Sequence, residues 1–226
     1  MSRLVLFGTG RGAAVAHRFF AGDTEHEIVG FAVDAEHVTA KEHRGLPLIA
    51  FEDVQRRFPP ETCRMHILLG YQQMNGLRAR KFDEAKAKGY TLESYVASDI
   101  FRVEPIKTGE NCFILDNQSI SLDVTIGSNV VMWSSNHVGD MSTICDHAWL
   151  TSHVTIAANV TIGERAFVGI GATISNGVKI GAESLVGANL MVSNDTAPKS
   201  VHVLGQGELD VESRPFMRMM MAGKKL

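Results

Sequence analysis

Residues 154–181 read VTIAANVTIGERAFVGIGATISNGVKIG, and the fold turns on how this stretch is counted. Counting by six from Ile114 meets Ile120, Ile126, Met132, Val138, Ile144, Leu150, Ile156, Ile162, Val168, Ile174, Ile180, Val186 and Val192 without a break in register. Glycine often follows the aliphatic residue, as at 127, 139, 163, 169, 181 and 187, and a small or β-branched residue often stands two before it. A fixed hexad of this kind predicts a parallel β-helix of the left-handed hexapeptide form, with one hexad to a side and three to a coil. A sandwich of β-hairpins would instead need period-two alternation and turn signals.

A coil of 18 residues converts sequence separation into stacking, since residues 18 apart lie at the strand spacing of roughly 4.8 Å. Val131, Trp149, Phe167 and Leu185 then share one outward column, whereas the equivalent columns on the other two sides are mostly polar (Thr125, Thr143, Thr161, Lys179; Ser119, His137, Thr155, Thr173). An apolar column on a rigid prism calls for a cover. The expected cover is a neighbouring subunit in a closed homotrimer, with the chain's own tail, SRPFMRMMMAGKKL, as the alternative.

Before about residue 105 the rhythm is different. LVLFGTGRGAAVAHRFF is a buried-strand run, a glycine turn and a helical segment, and EIVGFAVD is a second strand ending at Asp34. Further alternation through LPLIAFEDVQRRF and HILLGYQQMNGLRARKF predicts a small parallel sheet with helices on its faces, and Gly89 ends a helix over about 75–88. The expected organisation is an α/β half-Rossmann domain (βαβαβ) over 1–104, a left-handed parallel β-helix over 105–205 and a tail over 206–226. In 226 residues, 45% are hydrophobic and the formal charge is −3, which gives no reason to expect a nucleic-acid or membrane partner. The apolar opening breaks at Gly8, too early for a signal peptide or membrane span, so a cytoplasmic protein is expected. Cys63, Cys112 and Cys145 have no CxxC spacing and read as small buried hydrophobes rather than a disulfide framework or zinc ribbon.

GTGRGA places Gly8, Gly10 and Ala13 in a G-x-G-x-x-A pattern between a strand and a helix, where backbone N–H groups can meet a phosphate. Asp34, at the end of the second strand, suits a ribose hydroxyl. An NAD-dependent oxidoreductase would share these features, but the region holds only one mononucleotide half and the β-helix offers no hydride-transfer site. A metal site of the kind found in γ-type carbonic anhydrases is not expected either. His137, His147 and His153 do not stack at 18-residue spacing, so three imidazoles do not converge.

Taken together, the hexad run, LVLFGTGRGAA with VGFAVD, the linking GYQQMNGLRARKF with KGYTLESYV, and WSSNHVGDMSTI resemble the bacterial sugar acyltransferases of the NeuD/PglD type, up to about Gly205. The resemblance implies a trimeric enzyme that moves an acetyl group from acetyl-CoA to the amine of a nucleotide-linked amino sugar in surface glycan biosynthesis. Sugar O-acetylation and a non-catalytic nucleotide-sugar-binding scaffold are the alternatives. It also implies that the Gly8–Gly10 loop holds the pyrophosphate, with Asp34 and Gly70–Tyr71 nearby, and that acetyl-CoA, as cosubstrate, lies between neighbouring β-helices.

In that family the base is usually a histidine two positions after a hexad aliphatic, followed by an acidic residue. Here those positions hold Asp140 and Met141. His137 in NHVG is therefore the expected general base, with Asp140 orienting it or holding the acceptor amine. The backbone N–H of Ala158, 18 residues beyond Asp140, is the candidate for the thioester oxyanion, and Asn176, 18 further, for the pantetheine arm.

Overall fold

A computed structural model describes residues 2–102 and 104–204. The tail assigned to 206–226, and with it the idea that its methionines cover the apolar column, lies outside the described residues. The described residues divide into two compact units, one running to Gly70 and resuming over Arg80–Tyr95, the other made of Tyr71–Ala79 with the described chain from Val96 onward.

The first unit is built on a sheet of β1 (Arg3–Phe7), β2 (Glu27–Val33), β3 (Glu42–His43), β4 (Leu46–Ala50) and β5 (Cys63–Ile67), in the order β3-β4-β2-β1-β5. β1 pairs in parallel with both β2 and β5, so its run Leu4–Phe7 is apolar throughout and buried on both faces. Helix α1 (Arg11–Asp23) turns Ala13, Ala16 and Phe20 inward. The expected all-parallel sheet acquires one antiparallel edge, because β3 pairs with β4 through a tight turn at Arg44–Gly45. Both turn residues have positive φ, 53° and 76°. That left-handed pair is what a two-residue hairpin requires, and Gly45 supplies half of it without strain. Helix α2 (Val54–Arg57) and the part of α3 (Gly76–Ala87) from Arg80 onward complete the alternation.

The second unit is a left-handed parallel β-helix. Its two-residue strands stack in three sheets at 18-residue register: Ser119 on His137 on Thr155 on Thr173, Thr125 on Thr143 on Thr161 on Lys179, and Phe113 on Val131 on Trp149 on Phe167 on Leu185. The ladder begins one coil before the clear hexads, with Phe101 on Ser119 and Lys107 on Thr125. Every hexad aliphatic from Ile114 to Val192 is buried in a single core. The corners turn through left-handed residues at the same hexad phase: Asn111, Asn117, Asp123, Asn129, Ser135, Met141, His147, His153, Asn159 and Arg165, then Gly171 and Gly177. Asn, Asp and Gly tolerate that conformation best. Met141 and Arg165 show that the coil imposes it on residues that do not.

The apolar column is covered, but not as expected. Val131, Trp149, Phe167 and Leu185 are buried within the single chain. Segment 71–79 of the same unit lies over its two aromatic members: the Tyr71 ring meets Trp149 and Phe167 edge-on at 5.3 and 5.2 Å. Arg78 is wholly buried, stacks its guanidinium 5.5 Å from the Trp149 ring, and donates to the carbonyls of Asn129 and His147. Burial pulls Arg78 down to about 9, which leaves it charged at neutral pH. Asn75 donates to the carbonyls of Arg165 and Ala166. The column therefore gives no argument for a trimer, because all four residues are buried within the chain and the two aromatic ones are covered by a segment that reads in sequence as the start of an ordinary helix.

Candidate functional site

In the first unit, the carboxyl ends of β5, β1 and β2 lie side by side, where ligands of open α/β sheets bind. Gly8 directly follows β1; its φ of +113° suits only glycine, and its N–H donates to the Ala32 carbonyl at 2.8 Å. Gly10 caps α1 without any side-chain cap, and a Cβ there would meet nothing within 4 Å. The first N–H groups of a 13-residue helix are thus open at a bare backbone. Gly12 sits where a Cβ would come within 2.4 Å of the Leu68 carbonyl oxygen, so it seats the helix against the loop that leads to Gly70. Asp34 directly follows β2, and its Oδ1 takes a 2.7 Å bond from Lys81 Nζ. Gly8, Gly10, Asp34 and Gly70 thus follow neighbouring strand ends. Tyr71 belongs to the other unit, where its ring packs on Trp149 and Phe167 and burial pushes its phenol up.

On the β-helix, His137 occupies the outward position of its strand and is exposed. Its Nδ1 lies 3.3 Å from Ser119 Oγ, one coil earlier. Asp140 opens the next corner, and its Oδ1 accepts the Leu122 N–H at 3.0 Å. The two expected catalytic side chains are therefore held by different partners, and no hydrogen bond joins them among the described residues. Asp140, Ala158 and Asn176 do form one corner column: Asn159 N–H donates to the Asp140 carbonyl at 2.8 Å and Gly177 N–H to the Ala158 carbonyl at 3.0 Å. Gly139 lets those coils close, since a Cβ there would stand 2.7 Å from Ala158 N. His147 is a corner residue whose Nδ1 contacts Asn129 Nδ2 at 2.8 Å, and His153 is exposed at another corner. Among the described residues no group of three His, Cys, Asp or Glu could hold a metal, and no helix is long and apolar enough to cross a membrane.

Sequence reasoning stacked Ser119 on His137 without assigning it a contact, and passed over Gly12, Lys81 and Arg78. Gly12 was reachable through the third glycine of GTGRGA. Lys81 and Arg78 carried no signal beyond their charge.

Residues 155–194 match a family model described as the hexapeptide repeat of succinyl-transferase. No curated protein matches the chain in sequence. Among solved structures, the acetyltransferase domain of PglB from Neisseria gonorrhoeae superposes with a TM-score of 0.76 at 16% identity, over 89% of this chain and 96% of that one. PerB from Caulobacter crescentus, solved with CoA and GDP-perosamine, gives 0.75 at 21% identity over 89% and 93%. WeeI from Acinetobacter baumannii gives 0.75 at 14% over 89% and 96%. The chain shares the fold of these proteins across both of its units.

Proposed function

We propose that the protein is an acetyl-CoA-dependent acetyltransferase acting on the amine of a nucleotide-linked amino sugar. The observation that carries the reading is the pairing, in one chain, of an open glycine loop at the carboxyl edge of a parallel sheet with a β-helix that presents an exposed imidazole, His137. The fold likeness supports it, because PerB is described with CoA and GDP-perosamine and the PglB domain with acetyl coenzyme A. In this reading the sugar amine attacks the thioester carbonyl, a C–N bond forms, and His137 takes the proton that the nitrogen sheds. The oxyanion meets the Ala158 N–H. Collapse breaks the C–S bond, and the proton passes from His137 to the departing CoA thiolate. Asn176 would line the pantetheine arm, and Gly8, Gly10, Asp34, Gly70 and Tyr71 would serve the nucleotide end. A homotrimer belongs to the same proposal; its contact is assigned to the face that exposes Phe101 and Met191 at 67% and 68%, since the apolar column is already covered.

The test is thiol release from acetyl-CoA against UDP-, GDP- and dTDP-linked 3-amino and 4-amino sugars, beside sedimentation of the wild type. Turnover on one of them that falls by about 10²–10⁴-fold in His137→Ala supports the enzyme and its base. No turnover and no calorimetric binding of acetyl-CoA overturns the reading.

A further inference from the structure

Lys81 is an ammonium with little exposed surface, 12% of its side chain, yet it lies at the strand edge where the nucleotide is assigned. It donates to Asp34 Oδ1 at 2.7 Å and to Glu84 Oε2 at 2.6 Å, and its Nζ stands 5.8 and 5.5 Å from the centres of the Phe7 and Phe51 rings. Two of its three donors are bound to carboxylates and the charge rests on two aromatic faces, so it is not placed to swing toward a phosphate. Burial draws its pKa down, but the bonds to Asp34 and Glu84 outweigh that and hold it above the ordinary lysine value. Asp34 is thereby fixed by one oxygen, while Oδ2 has no partner among the described residues. A carboxylate oxygen can only accept, so its natural ligand is a hydroxyl donor.

We propose that Lys81 is a positioning residue that aims Asp34 Oδ2 at a ribose hydroxyl, which makes the acceptor substrate a sugar carried on a ribonucleoside diphosphate rather than on a 2′-deoxyribonucleoside diphosphate. The inference rests on the assignment of the nucleotide to this edge. A hydroxyl bound to a held carboxylate is worth about tenfold to a hundredfold in affinity. A freely rotating one gives back most of that, because the ligand must then order the side chain.

The experiment compares dissociation constants for UDP against 2′-deoxy-UDP and for GDP against 2′-deoxy-GDP in wild type, Asp34→Asn, Lys81→Met, Lys81→Arg and Glu84→Gln. The ratio within each variant is independent of the folded fraction. The proposal expects a ribose preference of about tenfold or more in the wild type. It expects that preference to collapse toward unity in Asp34→Asn and Lys81→Met, to return in Lys81→Arg, and to weaken in the half-exposed Glu84→Gln. If Lys81→Met weakens both members of each pair equally and leaves the ratio intact, Lys81 is a general electrostatic contact and the proposal is overturned while the nucleotide assignment stands. Equal binding of both forms by the wild type overturns the ribose contact itself. Binding of neither overturns the nucleotide assignment, and the proposal with it.

Discussion

Trp149→Ala separates a column covered by its own chain from one waiting for a neighbouring subunit. Trp149 is 5% exposed, its ring meets Tyr71 edge-on at 5.3 Å, and the Arg78 guanidinium lies 5.5 Å from its centre. Truncating a buried Trp costs about 3–5 kcal/mol in lost transfer energy and residual cavity. The desolvated cation–π contact adds about 1–2 kcal/mol, since Arg78 would remain buried beside an empty space. For a chain of 150–250 residues each kcal/mol moves Tm by roughly 2–4 °C, so a fall of roughly 8–28 °C is expected at any protein concentration. Thr125→Ala is the control. It changes an exposed outward position on the third face, away from both the apolar column and the proposed subunit contact, where substitutions stay within about 0.5 kcal/mol. The assay is thermal and urea unfolding followed by far-UV circular dichroism over a hundredfold range of concentration. A Trp149→Ala loss under about 1 kcal/mol, or one that appears only as the protein is diluted, would refute the intramolecular cover and return the column to a subunit interface.

Gly12→Ala should lose about 1–3 kcal/mol, because its methyl would meet the Leu68 carbonyl, a backbone atom that cannot rotate away. Gly10→Ala, with open space around it, should lose far less, and urea midpoints of the two variants check the contrast. Tyr90 is buried and donates its hydroxyl to the Phe58 carbonyl, and burial raises its pKa. The unfolded phenol ionises from about pH 10 while the folded one keeps its proton, so the folded state binds more protons and stability falls as pH rises. Tyr90→Phe lacks that loss. The stability gap between wild type and variant should therefore narrow by about 1.4 kcal/mol per pH unit above pH 10, read from urea unfolding at pH 8, 10 and 11.

The β-helix was legible because its period acts on every coil at once. An aliphatic residue at each sixth position can be buried in only one way, and residues 114–192 hold the register throughout. A second signal ran in the same phase: Asn111, Asn117, Asp123, Asn129, Asn159 and Asn189 all mark left-handed corners. What stayed hidden depends on contacts between distant segments. Nothing in GYQQMNGLRARKF separates Tyr71, Asn75 and Arg78, which lie over the apolar column, from Lys81, which holds Asp34. Helical periodicity predicts which face of a segment is apolar, but not that a guanidinium on it will be buried against coil carbonyls. The antiparallel strand at Glu42–His43 was missed for a simpler reason, since two residues are too few to show alternation.

Asp140 shows how the same repeat constrains chemistry. Its carboxylate accepts an N–H exactly one coil back, from Leu122, and Asp146 does the same for Ser128 at 2.7 Å. Asp195 fastens Lys179 N–H in the same manner at 2.8 Å, where the coil spacing has shortened to 16 residues. The Asp140 carboxylate is thereby a fastener between coils, with one oxygen engaged by the Leu122 N–H. The position where the family resemblance places a histidine is filled by such a fastener, and the residue after it is Met141, exposed and left-handed. In the proposed reaction, proton transfer then needs a group that the coil does not use. His137 meets that condition: its backbone makes the ladder bond to Val154, while its exposed ring lies 3.3 Å from Ser119 Oγ. Asp140→Asn keeps an oxygen for Leu122, and Asp140→Ala removes it. If Asp140 only fastens coils, turnover should survive in the asparagine variant and decline in the alanine variant together with stability. Turnover lost in Asp140→Asn at unchanged stability would instead assign the negative charge to holding the acceptor's ammonium.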